Sequence, residues 1–275
     1  RRGYKVSGHV PIDATINDLV QAGFSSIEHA SYLLRLGSNE EKMVQLLAKG
    51  SITRAAANQS YITNFNQDTA IKAYQNLAKL PVAVTPTLIG GKQLAYLAEN
   101  PHTNDAFLQY LTRRFTSKYQ WRIDRMANET PEQKQRRKEQ YELILKQIPY
   151  IQKAGIPILA GSDAAALNTY VYPALSLHEE LVLFQDAGLT PLQILQAATI
   201  NGAKFMGKIK ENGSIDSGKD ADIVILNTNP LQNIKATQDI YAVVNNGQYF
   251  DRKALDALLE KAKQVKQSLD KERGD

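Results

Sequence analysis

Three side chains stand where short strand-like stretches give way to loops, and each is of a type that binds metal or moves protons. His9 follows residues 4–8, His29 follows residues 24–28, and Asp163 follows the apolar run 158–162. A lone His in such a place is usually structural, and a lone Asp usually caps the next helix. The recurrence is what points to chemistry. His9 and His29 are 20 residues apart, the length of one strand–helix unit. Parallel neighbouring strands would therefore carry them about 5 Å apart. Two imidazoles at that spacing make a site for a divalent metal, zinc foremost. A carboxylate at the carboxyl edge of a parallel strand stands where α/β folds keep their reactive groups.

The elements that must position these residues are punctuated in the sequence. Residues 13–22 carry Ile16, Leu19 and Val20 on one helical face and stop at Gly23. Helices are expected over 39–49, closed by Gly50, and over 69–80, entered through Asn66 and stopped before Pro81. Residues 82–88 read as a buried strand with polar residues at its exit, and 158–161 as another, entered through Gly155 and Pro157. From 90 to 152 the chain is long, helical and polar, an excursion whose Leu111, Phe115 and Tyr119 stripe reads as packing against the body. His102, within Asn100-Pro101-His102-Thr103-Asn104, reads as a surface-loop residue. His178 lies in 175–181, the opening of an amphipathic helix, where it could contact a ligand or serve in capping and packing. Thr190 and Pro191 are the N-cap and first residue of the next helix. At Gly213 the character changes to a tight turn, a strand, and a hairpin with an Asn245-Asn246-Gly247 turn, before a charged helix from 252 onward.

Bulk composition narrows the function classes. The 275 residues are 43% hydrophobic and 22% charged, ordinary for a globular chain able to bury a large core. No run of eighteen apolar residues exists, so no membrane-spanning helix is expected. The absence of cysteine excludes disulfides and thiolate metal sites without choosing a compartment. The net charge is +5, and between Arg113 and Lys146 basic and acidic residues alternate at helical spacing. That reads as a solvated face laced with ion pairs, and no nucleic-acid partner is expected.

Taken together, Gly8-His9-Val10-Pro11, Ser26-Ile27-Glu28-His29, Thr85-Pro86-Thr87 and Leu159-Ala160-Gly161-Ser162-Asp163 resemble the second half of an amidohydrolase-superfamily barrel. Gly188-Leu189-Thr190-Pro191, Ala197-Ala198-Thr199-Ile200-Asn201-Gly202-Ala203, Gly218-Lys219-Asp220-Ala221-Asp222-Ile223-Val224 and Asn229-Pro230-Leu231 extend the likeness to about residue 250. The branch it resembles is that of the imidazolonepropionase-related and prolidase-like enzymes. The resemblance implies strands 5–8 of a TIM-type (β/α)8 barrel over 1–208, part of a small β-sandwich over 209–251 and a terminal helix over 252–275. It also implies that His9 ends the fifth strand, His29 the sixth and Asp163 the eighth. His9 and His29 would then be metal ligands, Asp163 a metal ligand and proton acceptor, and Thr87 a substrate neighbour, with His178 a further substrate-binding candidate.

The pattern also departs from the family. The four histidines include no His-x-His pair, which the family carries on its first strand. The expectation is a chain lacking strands one to four, stable beside the amino-terminal half of the same barrel or paired with another copy of itself. The activity implied for the whole is metal-assisted hydrolysis of a C–N bond in an amide, cyclic amide or dipeptide of small size. The alternative is a non-catalytic half-barrel that serves as an assembly or binding module.

Overall fold

The computed structural model describes residues 3–272; Arg1, Arg2 and the final three residues of the expected 252–275 helix lie outside the described residues. Three short strands, β1 (Val6–Gly8), β2 (Phe24–Glu28) and β3 (Ala83–Thr85), form a parallel sheet in that order. Ile158 joins the far side of β3 through a parallel bridge to Val84. Helix α1 (Ile16–Ala22) crosses from β1 to β2; Thr15 caps it by accepting from Asp18 N at 3.1 Å, and Gly23 ends it at φ 113°.

The return from β2 to β3 is longer. It runs through a 3-10 stretch (Ala30–Gly37), α2 (Glu40–Ala48), α3 (Arg54–Thr63) and α4 (Gln67–Leu77). Helix α4 begins two residues before the expected Thr69, because the Asn66 side chain accepts from Thr69 N at 2.9 Å and so is itself the cap. The α3 helix and the 3-10 stretch were not assigned from the sequence.

After β3 comes the excursion: α5 (Leu88–Ala95), a 3-10 turn (Ala106–Tyr110), α6 (Arg113–Thr116), α7 (Gln120–Met126) and α8 (Pro131–Ala154). Thr130 and Gln133 form a reciprocal capping box at the start of α8, and Gly155 ends it in the left-handed region. Tyr119 is buried and meets Phe115 edge-to-face at 5.9 Å, so that part of the stripe packs inward. His102 departs from expectation. It is buried, hydrogen-bonds through Nδ1 with Asp105 Oδ2 at 2.7 Å and stacks on Tyr170 at 4.8 Å, so it belongs to the packing of the excursion and not to its surface.

The stretch 158–161 makes one sheet bridge where a strand was expected. Leu159 N donates to Val84 O at 2.9 Å, but Ala160 N turns to Ala197 O at 3.0 Å and Asn201 Nδ2 takes Ile158 O at 3.0 Å. Those partners belong to α10 (Pro191–Ala198) and α11 (Ile200–Phe205), which follow α9 (Leu175–Asp186) and satisfy the edge that a further strand would use. Gly161 is required by crowding: a Cβ there would lie 2.6 Å from Thr85 Cγ2.

Beneath the strand ends, Ile27, Val84 and Ile158 are fully buried with Ile16, Leu33, Tyr74, Ile148, Ile151, Phe184 and Ile194. Each aliphatic or aromatic side chain so buried stabilises by ~1.5–3 kcal/mol. A second, antiparallel sheet of β4 (Ile223–Leu226), β5 (Ile240–Asn245) and β6 (Gln248–Phe250) follows, and α12 (Arg252–Glu272) runs back across the excursion, where Asp270 accepts from Arg113 N at 2.9 Å. No helix of the described residues is long and apolar enough to cross a membrane.

Candidate active site

The carboxyl ends of the parallel strands bring four of the five singled-out residues together. His9 Nε2 and His29 Nε2 face each other at 2.8 Å, and Asp163 Oδ2 lies 3.8 Å from His29 Nε2. The Asp163 side chain is half exposed, so it faces the solvent from which a substrate would arrive. Thr87 Oγ1 stands 2.5 Å from His29 Nδ1. The Thr87 hydroxyl donates to Pro86 O at 2.8 Å, so its oxygen accepts from His29 Nδ1–H. That fixes the proton on Nδ1 and leaves the Nε2 lone pair free to point at His9. Burial pushes the His29 pKa below the ordinary imidazole range, with Asp163 opposing and His9 adding to the fall.

His29, Thr87 and Asp163 share a backbone feature: none is glycine, yet all have positive φ, at 71°, 50° and 56°. Such conformations cost about 1–3 kcal/mol each and persist only where the surroundings over-determine them. Those surroundings are visible. His29 N donates to Thr85 O at 2.8 Å and Ala30 N to Pro86 O at 3.1 Å, binding the exit of β2 to that of β3. Asn168 Nδ2 donates to both Asp163 O at 2.5 Å and Asp163 Oδ2 at 2.8 Å.

Two buried glutamates, neither evident in the sequence, hold the neighbouring turns. Glu180 on α9 is fully enclosed and accepts from Leu88 N at 2.8 Å and Ile89 N at 2.7 Å. It thereby caps α5 in place of Thr87, whose own side chain makes no capping bond. Burial pushes its pKa up to about 8, against the pull of those two amides. On the other flank Glu40 accepts from Ile16 N at 3.2 and 3.3 Å and pairs with Arg35 Nε at 2.8 Å. Arg35 in turn donates to Pro11 O at 2.9 Å and Ala14 O at 2.6 Å, clamping the loop that leaves His9. Burial raises the Glu40 pKa, with Arg35 opposing.

The excursion also reaches the site. Arg122 Nη2 on α7 donates to Asn168 Oδ1 at 2.9 Å, and Arg122 Nε to Leu167 O at 3.1 Å. His178, the fifth singled-out residue, is not brought in: it is half-buried on α9 with Nδ1 3.1 Å from Thr237 Oγ1, and burial lowers its pKa. A lone sequence signal for Arg122, Glu180 or Glu40 is lacking, because each gains its meaning from a distant partner.

The donor set suits a divalent ion as a two-imidazole half-site with a carboxylate beside it. Ligands of a tetrahedral zinc bound at 2.0–2.1 Å lie ~3.3 Å apart, so the 2.8 Å imidazole pair has to open by about half an ångström. No group of three His, Cys, Asp or Glu among the described residues is spaced to hold an ion by itself.

Comparison with known proteins agrees in kind. The amidohydrolase family model matches residues 124–249. Imidazolonepropionase of Thermoplasma volcanium is 30% identical over 103 residues, which cover 36% of this chain and 25% of that protein. Ochratoxinase of Aspergillus niger is 34% identical over 94 residues, covering 34% of this chain and 18% of that protein. Among solved structures, bottromycin amidohydrolase superposes with a TM-score of 0.67 at 19% identity, over 96% of this chain and 54% of the other. At that identity the likeness establishes the fold, a mixed α/β arrangement related to part of an amidohydrolase barrel. The chain thus spans a quarter or less of the curated relatives it matches and about half of the structural one.

Proposed function

We propose, for a chain that belongs to the amidohydrolase superfamily, that it supplies the carboxyl-terminal part of the active site of a metal-dependent hydrolase of C–N bonds. The observation that carries this reading is the facing His9–His29 pair with Asp163 beside it, all at the carboxyl ends of adjoining parallel segments. In this reading β1, β2, β3 and the Ile158 segment are strands five to eight of the barrel. His9 and His29 would hold a divalent ion, zinc foremost, which when bound would polarise a carbonyl and make a water more acidic near neutral pH. Asp163 takes a proton at Oδ2, kept on station by Asn168, and returns it to the departing amine. Thr87 keeps the His29 proton on Nδ1 and so reserves Nε2 for the ion.

The remaining metal donors come, in this reading, from the amino-terminal half of the same barrel. What supports that partner is β1, the outer strand of its sheet, whose own Val6 and the nearby Tyr4 are exposed. The test is Asp163→Asn in the complete protein, assayed with cyclic amides, N-acyl amino acids and dipeptides. Turnover is expected to fall by ~10²–10⁴ with melting temperature unchanged. Turnover that survives the substitution rules out the role given to Asp163. A complete protein that holds no metal and turns over none of these compounds returns the reading to the non-catalytic assembly module.

A further inference from the structure

Helix α12 meets the excursion with its polar side. Lys263 Nζ lies 5.6 Å over the Tyr110 ring, and the buried Asp270 accepts from Arg113 N at 2.9 Å and pairs with Lys266 Nζ at 2.9 Å. Leu255, Leu258, Ala262, Val265 and Leu269 recur at steps of three, four, three and four, the a/d spacing of a helix that pairs with another helix. From Leu258 onward this stripe faces outward. Leu258, Val265 and Leu269 are 52%, 48% and 37% exposed, and Ala262 between them is exposed as well. A helix that served this fold alone would turn such a stripe inward and its charges outward.

The stripe lines a groove and not a flat face. Tyr110 and Thr112 of the excursion line it together with these four residues, around a space of ≈ 430 Å³. Among the described residues its lining includes two lysines, Lys261 and Lys266, and no acid. Lys266 is paired with Asp270, whereas Lys261 has no ion-pair partner among the described residues. In the heptad frame Lys261 is a g residue and Lys266 an e residue, the positions that choose a partner by charge. A second α12 running parallel would set Lys261 against the Lys266 of that copy. The other e and g residues of the helix, Arg252, Ala254, Leu259 and Ser268, include no acid either, so self-pairing gains no salt bridge in either orientation.

We infer that α12 docks an acidic amphipathic helix of a partner protein. The partner's apolar seam lies along Leu258, Ala262, Val265 and Leu269, and its flanks carry Glu or Asp against Lys261 and Lys266. Burial of the seam supplies the affinity, and the two lysines set the choice of partner.

The experiment titrates the complete protein into two fluorescent peptides of about three heptads and reads their anisotropy. Both carry Leu at a and d; one has Glu at e and g, the other Lys. The Glu peptide is expected to bind at least about tenfold more tightly, by a margin that shrinks as salt is added. Lys261→Glu should cut that ratio to below about threefold. Val265→Asp, a change at an exposed position, should weaken binding of the Glu peptide by at least about tenfold. If either variant fails to fold, the two peptides against the unaltered protein decide the matter. Equal affinities, or no binding of either peptide, overturn the inference, as does a preference that survives both substitutions. A complete protein whose self-association is abolished by Val265→Asp overturns it too, and gives the face to a second copy. Tighter binding to phosphatidylserine–phosphatidylcholine vesicles than to the Glu peptide overturns it in favour of a lipid surface.

Discussion

Glu40 and Glu180 perform one mechanical task on opposite flanks of the site, in different electrical company. Each is buried, and each offers its carboxylate to the first amides of a helix that starts just after a strand end: Ile16 N beyond His9, Leu88 N and Ile89 N beyond Thr87. Glu40 has a guanidinium against it, and that same Arg35 clamps Pro11 O and Ala14 O. Glu180 has two amides and no cation among the described residues. Capping a helix by a distant carboxyl group therefore does not require an ion pair. The difference lies in what each flank tolerates: one depends on keeping two charges together, the other on whether a single carboxyl is charged at all.

The largest expected effect comes from parting the pair. Arg35→Met leaves Glu40 buried without its cation and frees the loop behind His9, which should destabilise the protein by ~3–5 kcal/mol in urea unfolding. Adding Glu40→Leu should recover much of that loss, since replacing both charges by apolar groups removes the uncompensated one. If Arg35→Met costs under about 1 kcal/mol, the contrast between the two flanks has no energetic content.

The next effect is pH-dependent and belongs to Glu180. Its folded pKa is raised to about 8 from an ordinary 4.5. Below pH 4.5 the carboxyl is protonated in both states, so its contribution to stability is fully present. Between 4.5 and 8 the unfolded chain releases the proton while the folded chain retains it, so stability falls as pH rises. The window should be worth on the order of 3 kcal/mol. Glu180→Gln, which has no proton to lose, should abolish that slope when urea midpoints are compared at pH 5 and pH 8. The same slope in Glu180→Gln would assign the pH dependence elsewhere. At Glu40 the shift has the same sign but Arg35 opposes it, so Glu40→Gln should change the slope less.

This contrast also marks how far the sequence could be read. His9, His29 and Asp163 could be singled out because each ends a short strand-like stretch, a local signal. Glu180 meets its amides 92 and 91 residues away, and Arg122 meets Asn168 46 residues away, so no local pattern announces them. His102 looked like a loop residue because its neighbours are polar, yet Asp105 and Tyr170 enclose it. The eighth-strand candidate buries only Ile158 fully, with Leu159, Ala160 and Gly161 partly enclosed, and its irregularity has no local signal. Its backbone partners, Ala197 O and Asn201 Nδ2, come from helices whose approach no periodicity encodes.

The smallest expected change in stability is the most informative about purpose. Thr87 is β-branched and held at φ 50°, ψ 48°, a conformation costing roughly 1–2 kcal/mol that glycine would not incur. Thr87→Gly removes that strain and also removes the oxygen that accepts from His29 Nδ1, so the two changes should offset within about 1 kcal/mol of unfolding free energy. Metal affinity, followed by competition with a chelator in the complete protein, should nevertheless fall ~10–100-fold, because the ring loses the partner that sets its tautomer. Thr87→Ser keeps the hydroxyl and should keep the affinity. If instead Thr87→Gly costs several kcal/mol and leaves metal binding intact, the Glu180 cap holds this turn for folding alone. The resemblance between the two flanks would then be one of construction, with only the Glu40 side serving the site through His9.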